Sequence, residues 1–172
     1  MARPPRASKR AGGQIESHIH SFRGAMSTFP LTLRWSGNTL DATYSRNAEL
    51  SNPGHQTIPA SSAPTYSGDP TRWNPEDMLG SALATCHLLT FLALAAKARL
   101  EIKAYEDHAE VSLETVDRIA RVGEILLRPT IRVAPGTPAG KVEELFRKAH
   151  KYCIIANSIS SRVRMEPRVV EG

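Results

Sequence analysis

The chain has only two cysteines in 172 residues. That excludes a disulfide-built scaffold, because small oxidised domains need many more. Uninterrupted apolar runs of membrane-spanning length are also missing. The best stretch, Met78 to Ala96, carries Ser81, Thr85, Cys86 and His87 and has no topogenic flank. Acids are scarce in the first 25 positions, where Glu16 stands alone among Arg3, Arg6, Lys9, Arg10 and Arg23. No apolar segment follows that basic start, so a secretory signal is not expected. The cytoplasm is the expected compartment, and there thiols stay reduced unless catalysis oxidises them.

What is present fits one folded domain: 41% hydrophobic and 23% charged residues in 172 positions. The net charge of +5 is concentrated at the start of the chain, and the remainder is close to neutral. Residues 1–26 are expected to be a disordered basic extension, or sequence upstream of a start at Met26. A nucleic-acid arm is the competing reading, but no basic recognition helix follows it. Neither nucleic acid nor a membrane is therefore an expected partner. Residues 27–172 form the expected domain.

Along that domain, Phe29 to Ser36 alternates as a strand, Gly37-Asn38 is a hairpin signal and Thr39 to Tyr44 is the expected return strand. Leu50 to Arg72 is rich in Ser, Pro, Gly and Thr and reads as a long loop of the kind that binds or covers a site. Asn74-Pro75-Glu76-Asp77 is a strong helix start, with a capping Asn, Pro at the first helical position and two acids in the first turn. The helix should reach about Lys97, and it is apolar nearly all round, as in a core or a subunit interface. Two β-rich stretches follow, Glu101 to Glu114 and Ile119 to Val133. Thr137-Pro138 opens a second helix with an apolar stripe of Val142, Leu145, Phe146 and Ala149, and Ser160 to Val170 closes as a strand. Strands grouped around two helices, without strict alternation, indicate an α+β fold.

The cysteines fall inside these elements. Cys86 lies in the first helix and Cys153 where the second gives out. A thiol is a nucleophile only as a thiolate, so something must lower the pKa of Cys86. The helix dipole is spent within the first turn, and burial alone raises the pKa. A cation from elsewhere is needed, and Arg46 is the candidate, since arginine stays charged when desolvated and can hold a thiolate and a carboxylate with one fork. Glu76 is the natural carboxylate. On one straight helix, however, it lies about 15 Å along the axis from Cys86 and roughly 80° around it. A homodimer with this helix near its two-fold axis would bring Glu76 of one chain to Cys86 of the other.

Asn74-Pro75-Glu76-Asp77-Met78-Leu79, with Cys86 ten residues after Glu76, resembles the first signature of the OsmC/Ohr family. Ala149-His150-Lys151-Tyr152-Cys153 followed by Asn157-Ser158 resembles its second, and Tyr44-Ser45-Arg46 lies upstream. The resemblance spans roughly residues 28–170. It implies an OsmC-like α+β fold in an intertwined homodimer, with sheets wrapped around central helices and sites at the subunit interface. It also implies that Cys86 is the peroxidatic cysteine, Cys153 the resolving one, and Arg46 with Glu76 the activating pair. Organic hydroperoxides, and in some branches inorganic peroxide, are the implied substrates. The implied reductant is an external dithiol such as a lipoylated protein, and no bound cofactor is implied.

Three features depart from the family pattern. The second signature usually continues Cys-Pro-x-Ser, whereas here it is Cys153-Ile154-Ile155-Ala156. Arg46 is followed by Asn47-Ala48, where a subset of the family has a histidine two residues on. His87, directly after Cys86, fits the OsmC-like branches better than the Ohr branch. Met78, Leu79 and Leu89 are candidates either for an alkyl pocket or for ordinary core.

Two rival readings use the same residues. Cys86, His87, His150 and Cys153 would make a Cys2His2 metal site, but Cys86 and His87 point about 100° apart on one helix and do not readily share an ion. Alternatively, the protein is a non-catalytic dimeric binding protein with inert buried cysteines. His18 and His20 have no assigned role.

Overall fold

The computed structural model describes residues 27–172. The readings made on residues 1–26, including the basic extension, the start at Met26, His18 and His20, lie outside them. The described chain is α+β, with nine strands and two α-helices among the described residues.

The first helix, α1, spans Pro75–Lys97 and starts where the sequence places it. Asn74 Oδ1 accepts the Asp77 N–H at 2.8 Å, and Asp77 Oδ2 accepts the Asn74 N–H at 3.3 Å. This reciprocal box satisfies two donors that the first turn would otherwise leave free. By length and composition α1 is apolar enough to cross a membrane. In the fold it packs instead against the second helix, α2 (Ala139–Tyr152), and against the sheet. Its buried face is Gly80, Leu83, His87, Phe91 and Ala95, one side of a 3.6-residue period.

After α1 come β4 (Ile102–Asp107), β5 (Glu110–Val116), β6 (Ile119–Leu127) and β7 (Pro129–Val133), and the chain ends with β8 (Arg162–Met165) and β9 (Arg168–Glu171). They form two three-stranded sheets, ordered β4-β7-β9 and β5-β6-β8. Each of the two expected β-rich stretches, and the closing strand, is thus divided in two. The breaks fall at the same level in all three segments, at 108–109, at Arg128 and at 166–167. Asp107 Oδ1 takes the Arg128 N–H at 2.7 Å, and Leu127 O takes the Glu166 N–H at 2.9 Å. Pro129 and Pro167 follow those bends and cannot donate to a ladder. Asp117 and Arg118 both have positive φ, 51° and 66°, and close the β5–β6 hairpin.

The N-terminal region differs from expectation. The first strand, β1, is only Thr32–Arg34, and its partner is β2 (Ala48–Ser51), not residues 39–44. Residues 38–43 are consecutive turns because short side chains capture the backbone. Asn38 Oδ1 accepts the Leu40 N–H at 3.0 Å, and Asp41 Oδ1 accepts the Thr43 N–H at 2.9 Å. The expected long loop contains β3 (Ile58–Ala60), which pairs with β2, and a 3₁₀ turn at Pro64–Tyr66. Gly54, at φ 80°, supplies the reversal between β2 and β3. This small sheet leaves Phe29, Leu31 and Leu33 at 79%, 66% and 67% exposure.

Two apolar clusters hold the main body together. One joins Phe91 and Ala95 of α1 to Ile131, Val133, Val142, Leu145, Phe146 and Ala149. The other joins Leu83 to Ile125, Leu127 and Cys153, with Cys86, Leu79, Val111 and Ile155 packed against it. Burying each large side chain here contributes about 2 kcal/mol. The predicted stripe of α2 is buried in full.

Candidate active site

Cys86 and Cys153 meet in the second cluster. α1 carries Cys86 on the flank beside its buried face. α2 stops at Tyr152, so Cys153 caps it in an extended conformation, φ −70° and ψ 116°. The chain then folds back at once. Asn157 holds the turn, donating from Nδ2 to Cys153 O at 2.8 Å and to Lys151 O at 3.1 Å, while its N–H reaches Cys153 O at 3.1 Å. Ser158 Oγ donates to Ile154 O at 2.8 Å. Both cysteines are free thiols, Cys153 fully buried and Cys86 partly exposed.

Their electrostatic settings are opposite. Burial pushes the Cys86 thiol up. The Ile155 N–H, the Cys153 thiol, the Ile154 N–H and the Thr90 hydroxyl all favour its thiolate and leave its pKa below the ordinary thiol value. Burial also pushes Cys153 up, and the Ala156 N–H, 3.4 Å from its Sγ, only partly offsets this. The neighbouring Cys86 raises it further, so Cys153 lies above the ordinary value. The pair can therefore hold one negative charge, and that charge belongs on the accessible sulfur.

Arg46 and Glu76 are placed apart from this pair within one protomer. Arg46 lies over the Tyr44 ring, 4.7 Å from its centroid, and Tyr44 in turn packs edge-on to Trp35. Glu76 is in the first turn of α1, which runs unbroken past Cys86, so the two share a helix without touching. Glu76 Oε2 is buried and has no hydrogen-bond partner within the protomer. It borders an open groove of about 750 Å³ that Arg72, Trp73, Gly80 and Thr85 also line. Leu79 packs against the cysteine cluster, while Leu89 is 61% exposed and is not core within the protomer.

The two histidines of the rival metal site turn away from the sulfurs. His87 is fully buried, packs tilted against Phe146 with ring centroids 4.3 Å apart, and its ring centroid lies 6.1 Å from that of His150. Burial, then the nearby His150, lower its pKa to about 4, so it is neutral. Among the described residues no three His, Cys, Asp or Glu side chains converge to hold a metal ion. The main-chain donor at Ala156, 3.4 Å from the Cys153 sulfur, has no side-chain signature, so the sequence pattern did not reveal it.

Comparison with known proteins bears on the family and the fold. The family described as OsmC-like protein matches residues 68–168. The uncharacterized protein YmaD of Bacillus subtilis is 25% identical over 142 residues, which cover 80% of this chain and 90% of YmaD. Peroxiredoxin OsmC of Escherichia coli K12 is 25% identical over 93 residues, 54% of this chain and 64% of that protein. The OsmC-like protein of unknown function from Vibrio cholerae superposes with a TM-score of 0.75 at 29% identity, covering 83% of this chain and 99% of that one. An organic hydroperoxide resistance protein OsmC from Legionella pneumophila has the same fold, with a TM-score of 0.65 at 20% identity, covering 84% and 98%. The fold, the two thiols and these matches together assign the chain to the OsmC-like protein family.

Proposed function

We propose that this protein is a cysteine-based peroxidase that reduces organic hydroperoxides, with hydrogen peroxide as a second substrate. The observation that carries the reading is the contact between Cys86 and Cys153, with the thiolate favoured on the accessible sulfur. The Cys86 thiolate attacks the distal peroxide oxygen and the O–O bond breaks. The alcohol leaves after taking up a proton, and Cys86 becomes a sulfenic acid. Cys153 then attacks that sulfur, water leaves and a Cys86–Cys153 disulfide forms. An external dithiol, such as a lipoylated protein, reduces the disulfide by exchange and is itself oxidised. The apolar Leu79, Val111 and Ile155 around the thiols suit an alkyl substituent. The cycle needs no bound cofactor and suits a reducing compartment such as the cytoplasm.

The complete site is assigned to a homodimer. Ala82, Thr85, Leu89, Leu92, Ala93 and Ala96 leave an exposed small and apolar face along α1, of the kind that pairs with a second helix. The unpartnered Glu76 Oε2 supports the same reading, since a buried carboxylate oxygen without a donor is costly. In the dimer, Arg46 and the partner subunit's Glu76 complete the setting of Cys86.

The test is consumption of cumene hydroperoxide and of hydrogen peroxide by reduced protein in the presence of a dithiol. Rapid turnover lost in Cys86→Ser supports the peroxidase. No turnover, with Cys86 inert to peroxide, leaves a non-catalytic binding protein instead.

A further inference from the structure

Phe146 and His150 lie one turn apart on α2, and His87 of α1 packs beside both. His87 belongs to the buried face of its own helix, with Leu83 and Phe91, and is fully buried. Neither of its ring nitrogens has a hydrogen-bond partner within the protomer, and the buried Nδ1 of His150 has none either. Three unpartnered imidazole nitrogens at one helix contact require a reason, because a buried polar group without a partner is costly. The Tyr105 ring also packs on Phe146, but its hydroxyl is already engaged, donating to Asp107 at 3.0 Å.

The separation of the two rings selects what joins them. Their centroids are 6.1 Å apart, whereas a direct N–H···N hydrogen bond would hold them at about 5 Å. An imidazole nitrogen binds a metal ion at about 2 Å, with the ring centre about 1.1 Å behind it. Two rings on one ion are therefore about 6 Å apart when the nitrogens oppose each other, and about 5 Å apart at the tetrahedral angle. The observed distance matches the opposed, two-coordinate arrangement, which places no demand on the 36° between the ring planes. A buried water would span the same gap, but such waters typically make about three hydrogen bonds, and this contact offers two side chains. An ion that prefers two ligands is complete with them.

We propose that His87 and His150 form a two-nitrogen site for a soft monovalent metal ion, Cu(I), that ties α1 to α2. Imidazole is a copper ligand. Among the described residues no third His, Cys, Asp or Glu side chain converges with these two, which disfavours ions such as Zn(II) that require four ligands. Burial keeps His87 neutral down to about pH 4, so at neutral pH no proton competes for its lone pair. His150 is only half-buried and gives the ion its way in. Cys86 and Cys153 belong to the other apolar cluster, so the site is separate from the thiols and does not rest on the peroxidase reading.

Thiols bind Cu(I) as well, so the first test uses the full-length chain carrying Cys86→Ala and Cys153→Ala. Anaerobic incubation with Cu(I) and gel filtration should leave about one copper per protomer, and X-ray absorption should show two nitrogen neighbours and no sulfur. The melting temperature should rise with Cu(I) concentration. Adding His87→Leu or His150→Gln should abolish both the retained copper and that rise. His87→Leu removes a buried group that lacks a partner, so it should fold, and its melting temperature without copper checks this. Zn(II) should wash off under the same conditions. No retention, equal retention after His87→Leu, a sulfur neighbour, or equal retention of Zn(II) each overturns the proposal. A second measurement keeps the native thiols. In the unaltered protein, once the thiols have taken up their share, the His87 and His150 ring resonances should shift together with further Cu(I), and resonances that stay still also overturn it. Copper uptake beside an unaltered protein that lacks peroxide turnover upholds the site and rejects the peroxidase. Turnover without copper uptake does the reverse.

Discussion

Cys153 packs with Cys86 in one apolar cluster, and the two thiols differ in acidity, Cys153 being pushed up by burial while Cys86 lies below the ordinary thiol value. Cys86 is accessible and is favoured as thiolate, whereas Cys153 is buried and is held as thiol. A resolving thiol that stayed ionised would compete for peroxide. One held neutral until the sulfenic acid forms beside it attacks only then. The division of labour follows from the unequal surroundings of two chemically identical groups.

At pH 7 to 8, Cys86 should be alkylated well ahead of Cys153. Its alkylation should rise with pH to a midpoint below the ordinary thiol value, with that of Cys153 above it. Peptide-resolved mass spectrometry after timed iodoacetamide pulses measures both. Faster labelling of Cys153 would contradict the assignment.

With Cys153→Ser, one equivalent of cumene hydroperoxide should leave Cys86 as a sulfenic acid that dimedone traps, whereas the unaltered protein should give an intramolecular disulfide and no adduct. Dithiol-supported turnover should fall at least about tenfold, because the resolving step is lost. Undiminished turnover would remove Cys153 from the cycle.

The separation of Glu76 from Cys86 along one unbroken helix predicts complementation between subunits. Homodimers of Cys86→Ser and of Glu76→Gln should each be nearly inactive. Heterodimers formed by co-expression should regain one complete site in two, about half the activity of the unaltered dimer. No recovery would place Glu76 in the site of its own chain.

Leu89 is 61% exposed on the apolar face of α1. Leu89→Asp should destroy helix pairing, and sedimentation should show a protomer where the unaltered chain sediments at twice that mass. A Leu89→Asp dimer would move the interface elsewhere.

His87 predicts an acid limb to stability. Its folded pKa is about 4, below the usual value of 6.5. The unfolded chain therefore binds a proton that the folded one refuses between these values. His87 leaves stability intact above about pH 6.5 and costs it as pH falls toward 4, by up to about 3 kcal/mol. Both ring nitrogens lack partners in the protomer, so His87→Leu should raise stability at pH 7 by about 1 kcal/mol. It should also flatten this limb in urea titrations at several pH values. An unaltered limb would assign it to other groups.

Legibility in the sequence followed how local the causes were. The start of α1 was readable because Asn74, Pro75 and Asp77 cap it within four residues. The face of α2 was readable because Val142, Leu145, Phe146 and Ala149 repeat at helical spacing. The N-terminal strands were misplaced because Asn38 and Asp41 turn the backbone where the apolar alternation suggested extension. The breaks within the long strands were missed for a related reason, since Asp107 reaches across to Arg128 and the bend exists only once the strands are paired.

For the site, the sequence by itself determined which groups are chemically able: two thiols, an arginine and a carboxylate, with Cys86 and Glu76 unable to meet on their shared helix. Only the tertiary structure decided which thiol holds the charge. That depends first on the burial of one sulfur over the other, which the Ala156 amide directed at Cys153 only partly offsets. Main-chain N–H groups are the same in almost every residue, so no composition or spacing marks the ones that face a sulfur. Folding alone aims them, by fastening the neighbouring carbonyls to Asn157 and Ser158.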